Sequence, residues 1–133
     1  MAVVRPFKAL RPRQDLVERV ASLPYDVMNR KEAKAMAKGN PYSFLHIVRS
    51  EIDFPSSTDP YDKKVYMKAK SNLKVFEDDG ILVQDENAMI YIYRQIMNGN
   101  EQTGFVGSTS IDDYVNNIIK KHELTLLSKE RDR

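Results

Sequence analysis

The residue types best suited to chemistry are concentrated between residues 121 and 133. Basic, acidic and hydroxyl side chains alternate there, in Lys121-His122-Glu123-Leu124-Thr125 and in Lys129-Glu130-Arg131-Asp132-Arg133. Lysine, arginine and protonated histidine bind phosphate, and a carboxylate beside an attacking hydroxyl can accept its proton. A charged, solvated chain end has the same composition. A phosphate site is therefore a hypothesis to be weighed against a charged surface.

His122 continues the apolar face of a predicted helix, because it follows Ile118 and Ile119 at helical spacing. At a helix C-terminus the helix dipole favours the protonated imidazole, which suits a phosphate contact. A histidine that caps the last helix carbonyls explains the position equally well. Glu123 and Glu130 are candidate bases, although an isolated glutamate is more often a solvated surface acid.

Three earlier positions have a structural and a chemical interpretation. Asp26, between Tyr25 and Val27, is able to bind a metal, accept a hydroxyl proton or close an Asx turn, and the turn is the commonest of these. His46 is expected to be a half-buried, hydrogen-bonded side chain rather than a ligand. Ser110 and the small residues before it precede a predicted helix as an anion cradle would, but they lack P-loop spacing, and a helix cap explains Ser110.

Composition narrows the protein class. The 133 residues are 41% hydrophobic and 30% charged, with a net charge of +2, which is typical of one soluble domain. The absence of cysteine excludes disulfides, thiolate metal sites and a cysteine nucleophile, and two histidines without zinc-site spacing predict no metal site. We expect a cytoplasmic protein with neither a membrane nor a nucleic acid as partner, since no apolar run could span a bilayer and the charge is nearly balanced.

Helices and strands must position these residues, and the pattern predicts an α+β fold: a single compact domain over residues 1–133, with a small mixed sheet and three main helices. Asn29 with Glu32, Asp59 with Pro60, and Ser110 with Asp113 predict the helix starts. The predicted buried faces are Ala33, Met36 and Ala37; Val65, Ala69, Leu73 and Phe76; and Ile111, Tyr114, Val115, Ile118 and Ile119. Strands are predicted at 3–10, 42–49, 81–83, 88–97 (a central strand) and 101–107, with a tight hairpin turn at Asn98-Gly99.

Five segments together resemble the N-terminal part of the domain-of-unknown-function family 1015. They are residues 5–12, 23–27, 40–46 and 104–107 and the motif that begins at Lys121. Members of that family are longer, so we expect the chain to be an N-terminal fragment. The family is similar in its broad pattern to the ParB/sulfiredoxin superfamily, a small nucleotide-binding α+β fold whose members include free-serine kinases. Sulfiredoxin chemistry needs a cysteine, and partition proteins need a helix-turn-helix domain, so neither of these activities fits this sequence.

The resemblance implies a nucleotide-dependent phosphotransferase acting on a small hydroxyl metabolite such as L-serine, with ATP or ADP and Mg²⁺ as cofactors. The alternatives are a non-catalytic nucleotide- or phosphometabolite-sensing module and a phosphoserine-type phosphoester hydrolase. On chemical grounds the phosphate- and nucleotide-binding candidates are Lys121, His122, Thr125, Lys129 and Arg131. The catalytic candidates are Glu123, Glu130 and Asp26, and either glutamate could instead contact Mg²⁺. The oligomeric state stays open.

Overall fold

The computed structural model describes residues 1–120 of the chain. The helices in this part are α1 (Val17–Val20), α2 (Arg30–Ala37), α3 (Leu45–Val48), α4 (Lys63–Asp78) and α5 (Ile111–Val115). The strands are β1 (Val4–Arg5), β2 (Leu10–Pro12), β3 (Leu82–Gln84), β4 (Tyr91–Met97), β5 (Asn100–Val106) and β6 (Ser108–Thr109). Single 3₁₀ turns cover Gln14–Leu16, Tyr25–Val27 and Ser50–Asp53. The predicted α+β class is confirmed, with the short helices α1 and α3 added to the three predicted ones.

The chain divides into two units. Residues 10–85 form the central unit, and residues 1–9 together with the chain from residue 86 form the terminal unit. The central unit contains the β2–β3 sheet, and the terminal unit contains the β1–β6 and β4–β5 sheets. All three sheets of residues 1–120 are two-stranded and antiparallel. The predicted mixed sheet is therefore wrong for the described part, while the single domain over 1–133 stays a prediction.

Helix α2 begins as predicted. The Asn29 side chain accepts a hydrogen bond from the Glu32 N–H at 3.0 Å, and the Glu32 carboxylate accepts one from the Asn29 N–H at 2.8 Å. The helix ends before Gly39, which has φ +75°. Ala33 and Ala37 are buried, but Met36 is 51% exposed, so its predicted burial is wrong. The buried face is a narrow alanine stripe at i and i+4.

The predicted strand at 42–49 is wrong, because this segment forms α3 and then the turn Ser50–Asp53. The Ser43 hydroxyl accepts a hydrogen bond from the Leu45 N–H at 3.4 Å, which closes the first turn. Leu45 is 1% exposed and packs in a core cluster with Ala33 and Ala37. Burial of Leu45 against the alanine stripe thus overrides the β propensity of the segment.

Helix α4 begins three residues later than predicted. Asp62, not Asp59, accepts the capping hydrogen bond, from the Lys64 N–H at 2.9 Å. Asp59 instead accepts from the Tyr61 N–H at 2.9 Å in the preceding turn. The predicted buried face is confirmed: Val65 and Phe76 are buried, and Ala69 and Leu73 are partly buried. Phe76 joins a core cluster of apolar residues from the neighbouring elements, namely Leu16, Val20, Ile81 and Leu82.

The predicted strand at 3–10 is split into β1 and β2. β1 pairs with β6, and β2 pairs with β3. Phe7, which lies between β1 and β2 in the sequence, forms an isolated bridge with Met89. Pro6 separates the two strands because it has no N–H for a ladder hydrogen bond. At β6, a side chain on Gly107 would lie 2.7 Å from Val4 Cγ1, so the glycine allows β1 to approach.

The hairpin of the terminal unit forms as predicted. Met97 pairs with Asn100, and Asn98 and Gly99 have φ values of 52° and 79°, which the two central positions of a type I′ turn require. β4 begins at Tyr91 rather than residue 88. Its predicted central position is wrong, because it pairs only with β5 among the described residues and Ile92 is 83% exposed.

Helix α5 is shorter than predicted, and the predicted side-chain cap at its start is absent. It ends at Val115, and Ser110 makes no capping hydrogen bond. Asp113 instead accepts a hydrogen bond from the Val3 N–H at 3.1 Å. The predicted buried face is wrong, since four of its five residues are 46% to 79% exposed: Ile111, Tyr114, Val115 and Ile118. Within residues 1–120 no helix is long and apolar enough to cross a membrane.

Candidate functional site

The predicted phosphate motif, residues 121–133, lies outside the described residues. This holds for Lys121, His122, Glu123, Thr125, Lys129, Glu130 and Arg131. Their proposed roles stay predictions from the sequence.

Asp26 is the one predicted catalytic residue within the described chain. It lies in the 3₁₀ turn Tyr25–Val27 and is exposed. The turn is closed by the backbone bond from the Val27 N–H to the Pro24 carbonyl, at 3.3 Å. The Asp26 carboxylate makes no hydrogen bond or ion pair with residues 1–120, so the Asx turn did not form. The carboxylate is therefore accessible to a ligand.

A pocket of about 730 Å³ opens on the central unit. One wall is α2, and another carries His46, Ile52 and Asp53. Ala33 and Ala37 are buried, and the exposed lysines Lys31 and Lys34 of the same helix line the pocket together with Lys38, the residue after its last turn. The pocket is lined otherwise by small or apolar groups, namely Ala35, Ala37, Gly39, Pro41 and Ile52, with the polar Asn40. A cationic edge above an apolar floor suits a ligand with an anionic group and an apolar body.

The side chains of His46 and Asp53 form a hydrogen-bonded contact at one end of this pocket. The Nδ1 atom of His46 lies 2.6 Å from Asp53 Oδ1, and the two side chains are 22% and 19% exposed. The Asn72 amide donates to the other carboxylate oxygen, Oδ2, at 3.0 Å and to the His46 carbonyl at 2.6 Å. The α4 residue thus holds both members of the pair in place.

The second ring nitrogen of His46 faces an acceptor too. Its Nε2 atom lies 3.2 Å from the carbonyl oxygen of Asn40. A hydrogen-bond acceptor thus lies beside each ring nitrogen, and the orientation of the ring suits donation at either position. The prediction of a half-buried, hydrogen-bonded histidine is confirmed, but His46 lies on a helix rather than on the predicted strand.

Arg30, at the start of α2, fixes the segment that carries the opposite wall. Its guanidinium donates to five backbone carbonyls of residues 51–58: those of Glu51, Phe54 (3.3 Å), Pro55 (2.8 Å), Ser56 (3.2 Å) and Thr58 (2.8 Å). The two terminal nitrogens of the planar guanidinium, Nη1 and Nη2, make all of these contacts, so the carbonyls share their four N–H groups. The wall that bears Ile52 and Asp53 is therefore anchored to the lysine-bearing helix.

A buried ion pair, Arg49–Glu51, lies in the same segment. Arg49 Nε is 2.9 Å from Glu51 Oε1, with side chains 20% and 8% exposed. Arg49 Nε makes no hydrogen bond with the described residues, although it lies close to the Glu51 carboxylate. We regard the contact as electrostatic. Neither residue lines the pocket.

The predicted anion cradle before α5 has a structural explanation. The Ser108 hydroxyl donates to the Arg5 carbonyl at 3.2 Å. Ser108 and Thr109 form β6, which pairs with β1. The small residues at this turn therefore accommodate strand pairing, and we assign no ligand to it.

Comparison with known proteins identifies the family. The chain matches the family described as Protein of unknown function (DUF1015) over residues 4–133. It belongs to that family. No curated protein and no solved structure matches it. Membership confirms the family resemblance drawn from the sequence, and the relation to the ParB/sulfiredoxin superfamily stays a prediction.

The pocket residues fit phosphate groups better than they fit a metal ion. Lys31, Lys34 and Lys38 supply positive charge, whereas no group of three His, Asp or Glu side chains within residues 1–120 is placed to hold a cation. Asp53, the carboxylate of the pocket, is already bonded to His46 and Asn72. Within residues 1–120 the pocket therefore presents positively charged side chains and no set of ligands for a divalent cation.

Sequence reasoning missed this pocket. The lysines at 31, 34 and 38 follow helical spacing and could have been recognised as one cationic edge. The His46–Asp53 contact could not, because the segment from residue 42 to 49 has the residue types of a strand and Asp53 falls in an apparent loop.

Proposed function

We propose that this protein binds a nucleotide and transfers a phosphoryl group to the hydroxyl of a small metabolite such as L-serine. The observation that supports the proposal is the central-unit pocket, with three lysines on one edge and His46 placed as a donor. Its volume falls within the range of roughly 300–1,000 Å³ that small-molecule sites occupy. The family resemblance points to the same class of reaction.

The charges of the pocket favour a phosphorylated ligand over a neutral one. Lys31, Lys34 and Lys38 lie along one helix edge, while Asp53 is paired with His46. A polyphosphate placed along this edge would neutralise the charge of the lysines. The apolar floor of the pocket offers room for the nucleobase of a nucleotide. Each lysine is exposed, so each contact is expected to contribute modestly, about 0.5–1 kcal/mol.

Phosphoryl transfer needs charge neutralisation and a positioned hydroxyl. In the proposed step, the serine hydroxyl oxygen forms a bond to the terminal phosphorus while the bond from that phosphorus to the bridging oxygen breaks. The hydroxyl proton passes to a carboxylate. Asp53 is already bonded to His46 and Asn72, so the proposed acceptors are those that the sequence indicated. They are Asp26, which lies in the central unit but not in the pocket lining, and Glu123 and Glu130, which lie outside the described residues.

One observation favours the second candidate, a non-catalytic sensing module. Both nitrogens of His46 face acceptors, and Asp53 is bonded to His46 and Asn72, so the described pocket holds no free base. A site of this kind binds phosphate without turning it over. The phosphoserine hydrolase alternative also needs a base, to activate water, and residues 1–120 provide none in the pocket lining that is not already bonded.

Phosphorus NMR distinguishes these functions. The protein is mixed with Mg²⁺, ATP or ADP, and L-serine, and the spectrum is followed for a phosphoserine signal. The pocket variant is Lys34→Ala with Lys38→Ala. The matched control is Lys63→Ala with Lys70→Ala, which removes the same charge from α4, away from the pocket lining. A third variant, Lys121→Ala with Arg131→Ala, tests the C-terminal motif.

The transferase proposal expects phosphoserine from the wild type and the α4 control, and several-fold weaker nucleotide binding by the pocket variant. Nucleotide line broadening without product would favour the sensor. Free phosphate released from phosphoserine, without nucleotide, would favour the hydrolase. If only the C-terminal variant loses binding, the assignment of the nucleotide to the central-unit pocket is wrong. If no nucleotide resonance changes, the nucleotide proposals fail together.

A further inference from the structure

We infer that His46 is the residue that selects a phosphate group in this pocket, by donating one directed hydrogen bond from Nε2. The inference rests on the proposed function, since it concerns the same pocket. It assigns the pocket to phosphate-bearing ligands, namely phosphomonoesters and terminal phosphates of polyphosphates. It also makes Asp53 and Asn72 positioning residues.

The orientation of the ring is fixed from the side opposite to Nε2. Asp53 Oδ1 lies 2.6 Å from Nδ1, and Asn72 holds the other oxygen of Asp53 at 3.0 Å. Asn72 also donates to the His46 carbonyl at 2.6 Å, which ties the backbone to the same group. A ring held in this way keeps Nε2–H in a constant direction and loses little rotamer entropy when a ligand binds.

The present partner of Nε2 is a replaceable one. The Asn40 carbonyl is neutral, lies 3.2 Å away and belongs to the pocket lining. An oxygen of a phosphate group is charged, and hydrogen bonds to charged acceptors are shorter and roughly twice as strong as neutral ones. A phosphate that enters the pocket therefore replaces the Asn40 carbonyl as the acceptor of the Nε2 hydrogen bond.

The lysines and the histidine have different tasks in this scheme. Lys34 and Lys38 end in flexible, exposed ammonium groups that attract any anion. His46 is a rigid, part-buried donor, so it distinguishes a ligand whose acceptor oxygen reaches it from one whose negative charge stays at the lysine edge. We expect ADP and pyrophosphate to bind more tightly than a dicarboxylate of similar charge.

Two substitutions separate the ligand contact from the structural contact. His46→Asn places an amide near the position of Nδ1, so it keeps a donor toward Asp53 and removes the one at Nε2. His46→Gln places an amide near the position of Nε2 and gives up the Asp53 contact. We expect His46→Asn to weaken binding of ADP and pyrophosphate about tenfold, the factor that corresponds to a hydrogen bond of about 1.4 kcal/mol. His46→Gln should lose less.

NMR of the wild-type protein provides a readout that does not depend on a variant folding. Imidazole ¹H–¹⁵N correlations are recorded while pyrophosphate is added without Mg²⁺. The inference expects the Nε2 signal to shift with saturation and the Nδ1 signal to stay near its starting position.

The outcomes separate the inference from the proposed function. If Lys34→Ala with Lys38→Ala weakens ADP binding and His46→Asn does not, the pocket binds phosphate and the role of His46 is wrong. If neither variant weakens binding, the proposed pocket itself is wrong. If pyrophosphate binds and moves only the Nδ1 signal, or neither ring signal, His46 serves the fold and does not contact the ligand.

Discussion

Asn72→Ala tests whether the group that holds His46 and Asp53 is a net stabiliser of the central unit. The substitution removes two hydrogen bonds of one amide, at 2.6 Å to the His46 carbonyl and at 3.0 Å to Asp53. The carbonyl bond is part-buried and contributes about 1 kcal/mol. The bond to the carboxylate lies in an exposed position where water replaces it in part, so we assign it about 1 kcal/mol as well. We therefore expect a loss of about 2 kcal/mol.

Urea unfolding followed by circular dichroism measures this loss. With a slope of about 2 kcal/mol per molar urea, the midpoint should fall by about 1 M. Ser71→Ala is the matched control, because Ser71 is the exposed neighbour on α4 and its side chain makes no hydrogen bond within residues 1–120. Asn72→Asp should cost more than Asn72→Ala, since it places a second carboxylate beside Asp53. A midpoint for Asn72→Ala equal to that of the Ser71 control would refute the role given to Asn72.

Three further predictions concern the helix starts and the hairpin. Asn29→Ala should lower the unfolding free energy by about 1 kcal/mol, because it removes the acceptor of the capping hydrogen bond on α2; an unchanged urea midpoint would contradict this. Gly99→Val should cost about 1–2 kcal/mol, since valine is strained at φ +79°, and cross-strand NOEs between Met97 and Asn100 should weaken. The backbone N–H of Lys64 lowers the pKa of Asp62 below its ordinary value. The stability from this cap is therefore complete above the ordinary carboxyl pKa and is lost as the pH falls through the lowered pKa of Asp62. The unfolding free energy measured against pH should show this loss in the wild type and not in Asp62→Asn.

Local signals in the sequence predicted the elements that local chemistry determines. The α2 capping box, the Asn98-Gly99 turn and the apolar spacing of α4 each depend on residues close together in the chain, and each is confirmed. Errors arose where distant contacts decide. Residues 42–49 have strand-forming types, but burial of Leu45 against Ala33 and Ala37 makes them helical.

In the candidate site, too, features set by neighbouring residues can be predicted from the sequence, and features set by distant contacts cannot. The lysine edge of α2 is readable from spacing, whereas the His46–Asp53–Asn72 group joins three elements and needs the fold to be known. The motif that the sequence singled out lies beyond residue 120, and its roles stay predictions. A pattern of residue types therefore indicated phosphate chemistry, and the fold supplied a pocket that the pattern had not indicated.

Arg30 has a consequence for how ligand size is selected. It does not line the pocket, yet it joins α2, which carries the lysines, to the segment that carries Ile52 and Asp53. These hydrogen bonds fix the distance between the two walls of the pocket. A lysine has three donors on a single ammonium and could not hold five carbonyls, so replacing Arg30 would loosen the span without removing any pocket charge. In the proposed function, selection of a ligand by size would depend on Arg30, which does not line the pocket, and selection by charge would depend on the lysines that do.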